Sequence, residues 1–377
     1  MTDAVALKKE IIASLKSVKK LQKLVQLVTP SADAEADGEG ARVSDVVGCL
    51  QEVFDHFDGQ GVLAAGEAAA AATPSAPAAK RKRTEDDSSA TAKVGAWVLA
   101  RWEEALAILL AAAVDPALAP SVRNTAVDGW MSLVARASLT QAQAHILKLV
   151  EAFACATTRG KEAPEGGKSK QDQQNRKWEK VATRKVAERL AAVHLANHTD
   201  VYKLWLQTLL RRLETPASLA GNLTLLAMTP LPTEVVSDGE SMLFTQKTAS
   251  AVMSSGGKSL TITSLYGDCW TAVLKHDLPD ALLKKVLRVM SEAVLPFVRH
   301  PLTLLDMLTT AYARGGIISV LSLKGIYYMM THNNLFVPDS VGDDDVCLFF
   351  DRMFCLHYLT VISLIFTSSC TRLLIKM

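Results

Sequence analysis

Basic side chains are the residues of this chain best suited to do chemistry, and they are concentrated between residues 159 and 189. The stretch holds ten lysines and arginines against five acidic residues. Contact with RNA phosphates requires positive charge and reach, and it does not require a particular fold. The pattern therefore predicts RNA contact, although it also fits a solvated loop and helix face. The predicted contact residues are Arg159, Lys161, Lys168, Lys170, Arg176, Lys177, Lys180, Arg184, Lys185 and Arg189.

A second basic cluster consists of Lys80, Arg81, Lys82 and Arg83. It lies within residues 66–93, where Ala, Pro, Ser and Thr predominate and large apolar side chains are scarce. Such a segment buries too little apolar surface to offset the entropy of ordering, so we expect it to be disordered. Four consecutive accessible cations are a target for a nuclear import receptor, and the cluster therefore predicts nuclear import. A solvated charge run in a linker is the alternative.

The other polar motifs do not indicate metal or phosphate chemistry. His194 and His198 are four residues apart, a spacing that places two imidazoles on one face of a helix. Leu195 stands where a zinc protease carries its glutamate, and no third ligand is identifiable nearby, so we predict no metal site. Gly315-Gly316 lacks the Lys-Ser/Thr pair that follows a phosphate loop, and it predicts a tight turn between helices.

The composition narrows the class of protein further. The chain has 377 residues, 49% of them hydrophobic and 6% aromatic, with the abundance of alanine and leucine that favours helices. A formal net charge of +2 means that any basic surface must be local. The six cysteines form no Cys-x-x-Cys pair, which indicates free thiols in a reducing compartment. Because no glycine-flanked serine nucleophile is present either, we predict neither catalytic residues nor a cofactor.

Apolar residues recur at steps of three and four along most of the chain, which predicts helices. Short joints marked by proline or polar residues separate successive helices, as in stacked antiparallel pairs. We therefore predict an all-α fold, a HEAT/armadillo-like α-solenoid with disordered low-complexity linkers. The expected helices are 2–28, 44–57, 96–114, 120–136, 140–156, 175–197, 200–213, 216–227, 279–296, 301–315 and 317–330, with a linker at 31–43.

These features divide the chain into six expected segments. Proline, glycine and charge-rich stretches mark the boundaries between them. The segments are an N-terminal helical segment (1–65), a disordered linker with the basic cluster (66–93), a helical repeat region (94–228), a second linker (229–259), a further helical domain (260–339) and a tail (340–377).

The order of residues between Trp270 and Leu335 is too particular for a generic helical pattern. Its markers are Leu278-Pro279, Val294-Leu295-Pro296, Pro301-Leu302, Leu304-Leu305-Asp306-Met307-Leu308, Gly315-Gly316, Lys324-Gly325-Ile326 and His332-Asn333-Asn334-Leu335. This stretch resembles the C-terminal domain of the CCAAT-binding-factor family of nucleolar ribosome-assembly proteins. The close resemblance covers about a fifth of the chain.

The resemblance implies a function that composition could not reveal. A member of this family would be a non-catalytic nucleolar scaffold in assembly of the small ribosomal subunit and in ribosomal RNA processing. Its partners would be another large nucleolar assembly factor, the small-subunit pre-ribosomal particle and pre-ribosomal RNA. The family's historical name suggests a DNA-binding transcriptional regulator as an alternative. No helix-turn-helix, zinc finger or basic zipper is visible in the sequence, which counts against that alternative.

The tail departs from the family pattern after Asp339. Residues 340–345 replace the expected aromatic and lysine-bearing helix, and residues 346–377 are rich in Cys and Phe. We expect a misread exon boundary or an alternative transcript, so that residues 260–339 form an incomplete domain. The apolar run of residues 353–369 has 17 residues, which is short for a membrane span. A helical adaptor with a membrane-associated C-terminus is the reading that this run would support.

Overall fold

The computed structural model describes residues 2–13, 19–30, 36–63, 85–158, 181–215, 219–235, 242–254 and 261–332. These described residues form helices and turns, and none of them lies in a strand. The predicted all-α class is therefore confirmed. Alanine- and leucine-rich segments reach this state because both residues lose little side-chain freedom in a helix.

Fourteen α-helices of the described part of the chain are labelled α1 to α14 in chain order. The first seven are α1 (Thr2–Ala13), α2 (Leu21–Gln26), α3 (Ala36–Gly59), α4 (Glu85–Val114), α5 (Pro120–Val134), α6 (Leu139–Thr158) and α7 (181–195, of which Ala191–Leu195 form a π turn). The others are α8 (Thr199–Leu213), α9 (Leu219–Met228), α10 (Gln246–Ser254), α11 (Ile262–Leu274), α12 (Asp280–Val289), α13 (Leu305–Ala313) and α14 (Gly316–His332). A π turn, Met290–Val294, extends α12, and a 3-10 turn, Pro301–Leu304, precedes α13.

The contacts divide the chain into two compact units, Met1–Leu265 and Tyr266–Met377. In the first unit, α3 packs on α1 and α5, α4 packs on α5, and α6 packs on α8 and α9. In the second unit, α14 packs on α12 and α13. Each helix thus packs mainly on helices close to it in sequence, which agrees with a solenoid built from successive helix pairs.

The apolar stripe predicted for residues 120–136 is the inner face of α5. Val122, Ala126, Trp130, Leu133 and Val134 are all buried, at the helical spacing that the sequence shows. Pro120 occupies the first turn of the helix, where its missing N–H leaves no intrahelical bond unmade. The stripe lies on α3 and α4, which are the main packing neighbours of α5.

The N-terminal helix differs from the prediction of one helix over residues 2–28. The structure has two helices, α1 and α2, which pack on each other, and a 3-10 turn at residues 19–20 precedes α2. An ion pair joins Lys20 Nζ to Glu10 Oε2 at 2.5 Å. The apolar residues keep their helical spacing through the break. Two short helices that bury Ile11, Leu21 and Leu24 therefore fit the sequence as well as one continuous helix does.

Two other helices begin earlier than predicted. Residues 36–43, expected in a linker, belong to α3, where Val43 is buried and Arg42 donates hydrogen bonds to the carbonyl oxygens of Leu27 and Thr29 at 2.8 and 2.9 Å. Helix α4 begins at Glu85, within the stretch that composition places in a linker. The sequence between Glu85 and the apolar part of α4 contains several alanines. Because alanine is the strongest helix former, it favours an earlier start of the helix.

Gly315 and Gly316 form the turn between α13 and α14, as the sequence predicts. Their φ angles are 75° and 61°, in the left-handed region that side chains other than glycine rarely adopt. A Cβ built on either residue would meet no atom within 4 Å, so the backbone conformation alone explains the glycines. The turn reverses the chain and allows α13 and α14 to pack together.

The described part of the chain contains three cysteines that form no disulfide, Cys49, Cys155 and Cys269. Cys49 and Cys269 are buried, and burial raises the pKa of both thiols. Among the described helices, none combines the length and the apolar composition that crossing a membrane requires.

The buried imidazole of His145 gives the first unit a testable pH dependence. His145 is 4% exposed and lies edge-on to Trp102 and Trp130, with ring centroids 5.0 and 6.5 Å away. Burial, assisted by the charge of Lys148, lowers the pKa of His145 from 6.5 to about 4. The stabilising effect of the neutral ring is therefore complete above pH 6.5 and is lost as the pH falls towards 4, because the unfolded chain takes up the proton first.

We expect His145 alone to lower the unfolding free energy by about 3 kcal/mol as the pH falls from 6.5 to 4. Urea unfolding followed by tryptophan fluorescence at several pH values measures the effect. His145→Leu should flatten the pH dependence, since an apolar side chain of similar volume takes up no proton. If the unfolding free energies of the wild type and of His145→Leu depended on pH in the same way, the assignment of a buried neutral imidazole would be contradicted.

Candidate nucleic-acid interface

The described residues of α7 carry three of the ten predicted RNA contacts. Thr183, Val186, Ala187 and Leu190 form the buried face of α7. Arg184, Lys185 and Arg189 lie on the opposite, exposed face, so the helix presents its cations to solvent. The other seven predicted contacts, Arg159, Lys161, Lys168, Lys170, Arg176, Lys177 and Lys180, lie outside the described residues, as does the basic cluster Lys80, Arg81, Lys82 and Arg83.

The three described cations differ in how far neighbouring carboxylates neutralise them. Arg184 Nε donates to Glu188 Oε1 at 2.8 Å, one helical turn away. An Arg189 guanidinium nitrogen donates to Asp128 Oδ2 at 2.8 Å. Lys185 has no carboxylate partner in the described part of the chain, and it is the cation whose charge is least compensated. Exposed ion pairs are worth about 0–1 kcal/mol, so a phosphate could replace Glu188 at little cost.

Asp128 on α5 joins the basic face to the neighbouring helix. Its Oδ1 lies 2.9 Å from His194 Nε2, while its Oδ2 accepts the hydrogen bond from Arg189. Burial by itself would raise the pKa of Asp128, but the hydrogen bond from His194 and the charge of Arg189 outweigh it and lower that pKa. The carboxylate therefore stays ionised and holds the C-terminal half of α7 against α5.

Arg123 makes the second connection between α5 and α7. It is fully buried, and its Nε donates to the carbonyl oxygen of Ala113 at 3.0 Å, near the end of α4. One terminal nitrogen donates to Thr183 Oγ1 on α7 at 3.1 Å, and the other has no hydrogen-bond partner among the described residues. Burial lowers the pKa of this guanidinium, while the charge of Asp115 opposes the shift. Arg123 and Asp128 together fix the orientation from which α7 presents its cations.

His194 lies in the π turn that ends α7, and His198 lies just before the first residue of α8. Their rings are stacked with centroids 6.3 Å apart and an angle of 27° between the ring planes. Nε2 of His194 is hydrogen-bonded to Asp128. No group of three or more His, Cys, Asp or Glu side chains suited to a metal ion occurs among the described residues.

The residues that position α7 were not found by reading the sequence. Arg123 directly follows Val122 of the apolar stripe of α5. An arginine in a sequence is normally expected to be exposed to solvent. Asp128 is 66 residues from His194 and 61 from Arg189, so no local spacing links them. The only sequence signal is the position of Arg123 and Asp128 on a helix whose other residues are mostly buried.

Comparison with known proteins places part of this chain near a group of nucleolar proteins. No protein-family model matches it. The chain is 43% identical over 70 residues to the nucleolar complex protein 4 homolog of Gallus gallus and 41% identical over 70 residues to that of Homo sapiens. An uncharacterized protein of Schizosaccharomyces pombe is 33% identical over 84 residues, which cover 22% of this chain and 17% of that protein.

The extent of these similarities is limited. The matches to the Gallus gallus and Homo sapiens proteins cover 19% of this chain and 14% of each relative. These matches confirm the predicted resemblance to a nucleolar protein.

Proposed function

We propose that this chain is a non-catalytic nucleolar scaffold that acts in assembly of the small ribosomal subunit and in ribosomal RNA processing. The observation that carries the proposal is the 43% identity over 70 residues to a nucleolar complex protein 4 homolog. The match covers only 14% of that relative. The activity and the partners of the complete relative are therefore proposals for this chain. Residence in the nucleus and nucleolus is part of the same proposal.

The mechanism that we propose is geometric. Successive helix pairs in the first unit offer a long surface, and repeat structures of this kind hold partners in register. The proposed partners are another large nucleolar assembly factor and the small-subunit pre-ribosomal particle. We retain residues 260–339 as the proposed CCAAT-binding-factor-like domain. The boundary between the two compact units falls within its first residues, at Leu265 and Tyr266.

We further propose that the basic face of α7 contacts pre-ribosomal RNA. The exposure of Arg184, Lys185 and Arg189 on one face supports this proposal, together with the excess of cations from residue 159 onward. The ion pairs of Arg184 and Arg189 limit the positive potential, so Lys185 would contribute most among the described cations. Phosphate contacts made this way would add affinity without sequence specificity.

Affinity purification from nuclear extract tests the proposal. The tagged full chain is purified with and without ribonuclease, and the bound proteins are identified by mass spectrometry. A scaffold should retain nucleolar assembly factors in both samples, while ultraviolet crosslinking should link pre-ribosomal RNA to peptides from residues 159–189. Retention of transcription factors or membrane proteins, with no assembly factor, would overturn the proposed function.

Nuclear entry depends, in our proposal, on the basic cluster Lys80, Arg81, Lys82 and Arg83. Replacing all four by alanine should lower nuclear accumulation of a tagged chain severalfold, because the import receptor loses the cations that it binds. Fluorescence imaging measures the nuclear-to-cytoplasmic ratio. The matched control replaces the cations Lys284, Lys285 and Arg288 of α12, and it should leave the ratio unchanged. Unchanged accumulation of the cluster variant would contradict the assignment.

A further inference from the structure

An apolar cavity lies between α4 and α6 in the first unit. Its volume is about 490 Å³, which falls within the range of about 300–1,000 Å³ typical of ligand sites. The apolar residues of its lining come from α4, α5 and α6 and are Leu106, Ala107, Leu110, Ala111, Trp130 and Ala152. A cavity of this composition favours an apolar occupant, because binding removes the apolar surface of both partners from water.

A buried histidine, His145, belongs to the lining of this cavity. Among the described lining residues, it is the one that is both polar and buried, with 4% of its surface exposed. Its ring packs edge-on against Trp102 and Trp130, and no described residue is hydrogen-bonded to this ring. A neutral imidazole has one N–H donor and one nitrogen acceptor, and buried groups of this kind are normally hydrogen-bonded. An occupant of the cavity can supply that hydrogen bond.

The mouth of the cavity is open to solvent. Ala107 and Ala111 of α4 are exposed there, and their side chains end at Cβ, so a polypeptide can lie close to the helix. The charged residues of the lining are Glu103, Lys148 and Glu151. Because Glu151 is paired with Arg212, these four charged side chains together carry no net charge. The mouth therefore suits a polypeptide better than RNA, which requires an excess of positive charge.

We propose that this cavity binds a tyrosine side chain, presented together with apolar neighbours by a segment of a partner protein. Tyrosine combines an aromatic ring, which fits the apolar lining, with a hydroxyl that can reach His145. The hydroxyl both donates and accepts, so it matches either tautomer of the imidazole, whereas a tryptophan N–H only donates.

The size of the cavity favours a protein segment over a free phenol. Its volume of about 490 Å³ exceeds that of one phenol ring and leaves space for the apolar neighbours of the tyrosine. Tyrosine is also among the residues that contribute most binding energy at protein interfaces. The cavity is separate from the basic face of α7, and the inference does not rest on the proposed function.

Fluorine NMR of the full chain, labelled with 5-fluorotryptophan, tests the proposal because Trp130 lies in the lining. The resonance of Trp130 is assigned with Trp130→Phe. The probes are N-acetyltyrosinamide and N-acetylphenylalaninamide, which differ by one hydroxyl. The tyrosine probe should shift the Trp130 resonance and bind about fivefold more tightly than the phenylalanine probe, as expected for one hydrogen bond. Equal binding of the two probes to the wild type, or no binding of either, would overturn the proposal.

Two histidine variants show whether the preference for tyrosine comes from His145. His145→Leu keeps a side chain of similar volume but removes both ring nitrogens, so the two probes should bind it equally. The matched control His300→Leu replaces an exposed histidine of the second unit and should keep the fivefold preference. Circular dichroism shows whether both variants are folded. A preference for tyrosine that persists in folded His145→Leu would contradict the assignment.

Two further measurements identify the source of the phenol group. A helical peptide of alanine and leucine with one central tyrosine should bind at least about tenfold more tightly than 4-methylphenol, because its apolar neighbours are buried as well. Equal affinities would indicate a site for a free phenol and would overturn the proposal. Ala107→Leu fills the mouth from an exposed position and should weaken binding of the peptide about tenfold without loss of helical structure. Unchanged binding to this variant would show that the peptide binds elsewhere.

Discussion

Replacing Gly267 by alanine is expected to destabilise the second unit by more than about 3 kcal/mol. Gly267 lies in α11, where the backbone of residues 297 and 298 packs directly on the helix. A Cβ at this position would lie 2.1 Å from the carbonyl oxygen of Phe297 and 3.2 Å from Cα of Val298. Backbone atoms cannot rotate away as the end of a flexible side chain can, so α11 or the chain after the π turn must move.

The same movement would separate an aromatic cluster in which Tyr266 and Trp270 are buried. The ring of Tyr266 lies edge-on to Phe297, with centroids 5.4 Å apart, and 6.3 Å from the ring of Trp270. Hydrogen exchange of the full chain resolves the effect, because amides of residues 266–332 should exchange faster while those of the first unit do not.

A matched glycine separates steric clash from helix propensity. Gly48 lies in α3, and a Cβ built there meets no atom within 4 Å. Gly48→Ala should therefore stabilise the first unit by about 0.5–1 kcal/mol, since alanine loses less backbone freedom in a helix. Exchange in Gly267→Ala equal to that of the wild type would show that α11 does not approach Phe297 as described.

Replacing Asp200 by alanine is expected to destabilise the first unit by about 3–5 kcal/mol. The fully buried carboxylate accepts hydrogen bonds from the backbone N–H groups of Val201 at 2.8 Å, Leu243 at 3.2 Å and Phe244 at 2.9 Å. It thereby fastens the segment before α10 to the first turn of α8. Alanine leaves these donors buried without an acceptor, and each unmade bond costs about 1–3 kcal/mol.

Two companion variants make the Asp200 prediction specific, with urea unfolding of the full chain as the measurement. Asp200→Asn keeps one acceptor oxygen and should lose less stability than Asp200→Ala. Asp128→Ala removes an aspartate that has two side-chain partners, Arg189 and His194, but is partly exposed, and it should lose only about 1 kcal/mol. Similar losses for Asp200→Ala and Asp128→Ala would argue against a buried network at Asp200.

Much of the fold could be predicted because helix boundaries carry local signals. The apolar stripe of α5, the proline at its start and the glycine pair before α14 each depend on residues within a few positions of one another. The break between α1 and α2 could not be predicted in the same way. The apolar period runs through it, and a continuous helix and a pair of short packed helices satisfy one pattern equally well.

Contacts between distant residues were beyond the reach of sequence reasoning. The glycine at 267 meets the chain at residue 297, and Gly221 of α9 meets the backbone of Ala154 on α6, with 2.5 Å from a built Cβ to the carbonyl oxygen. Nothing near either glycine in the sequence indicates the approaching backbone. The basic face of α7 was predictable from composition, whereas its attachment through Arg123 and Asp128 depends on which helices pack together.

The proposed role in small-subunit assembly is tested most directly by sedimentation. A nuclear extract containing the tagged full chain is separated on a sucrose gradient, and each fraction is probed for the chain and for pre-ribosomal RNA of both subunits. The proposal predicts that the chain sediments with early small-subunit precursors, and that ribonuclease moves it towards the top of the gradient. A chain that remains in the light fractions, or that sediments only with large-subunit precursors, would contradict the proposed function.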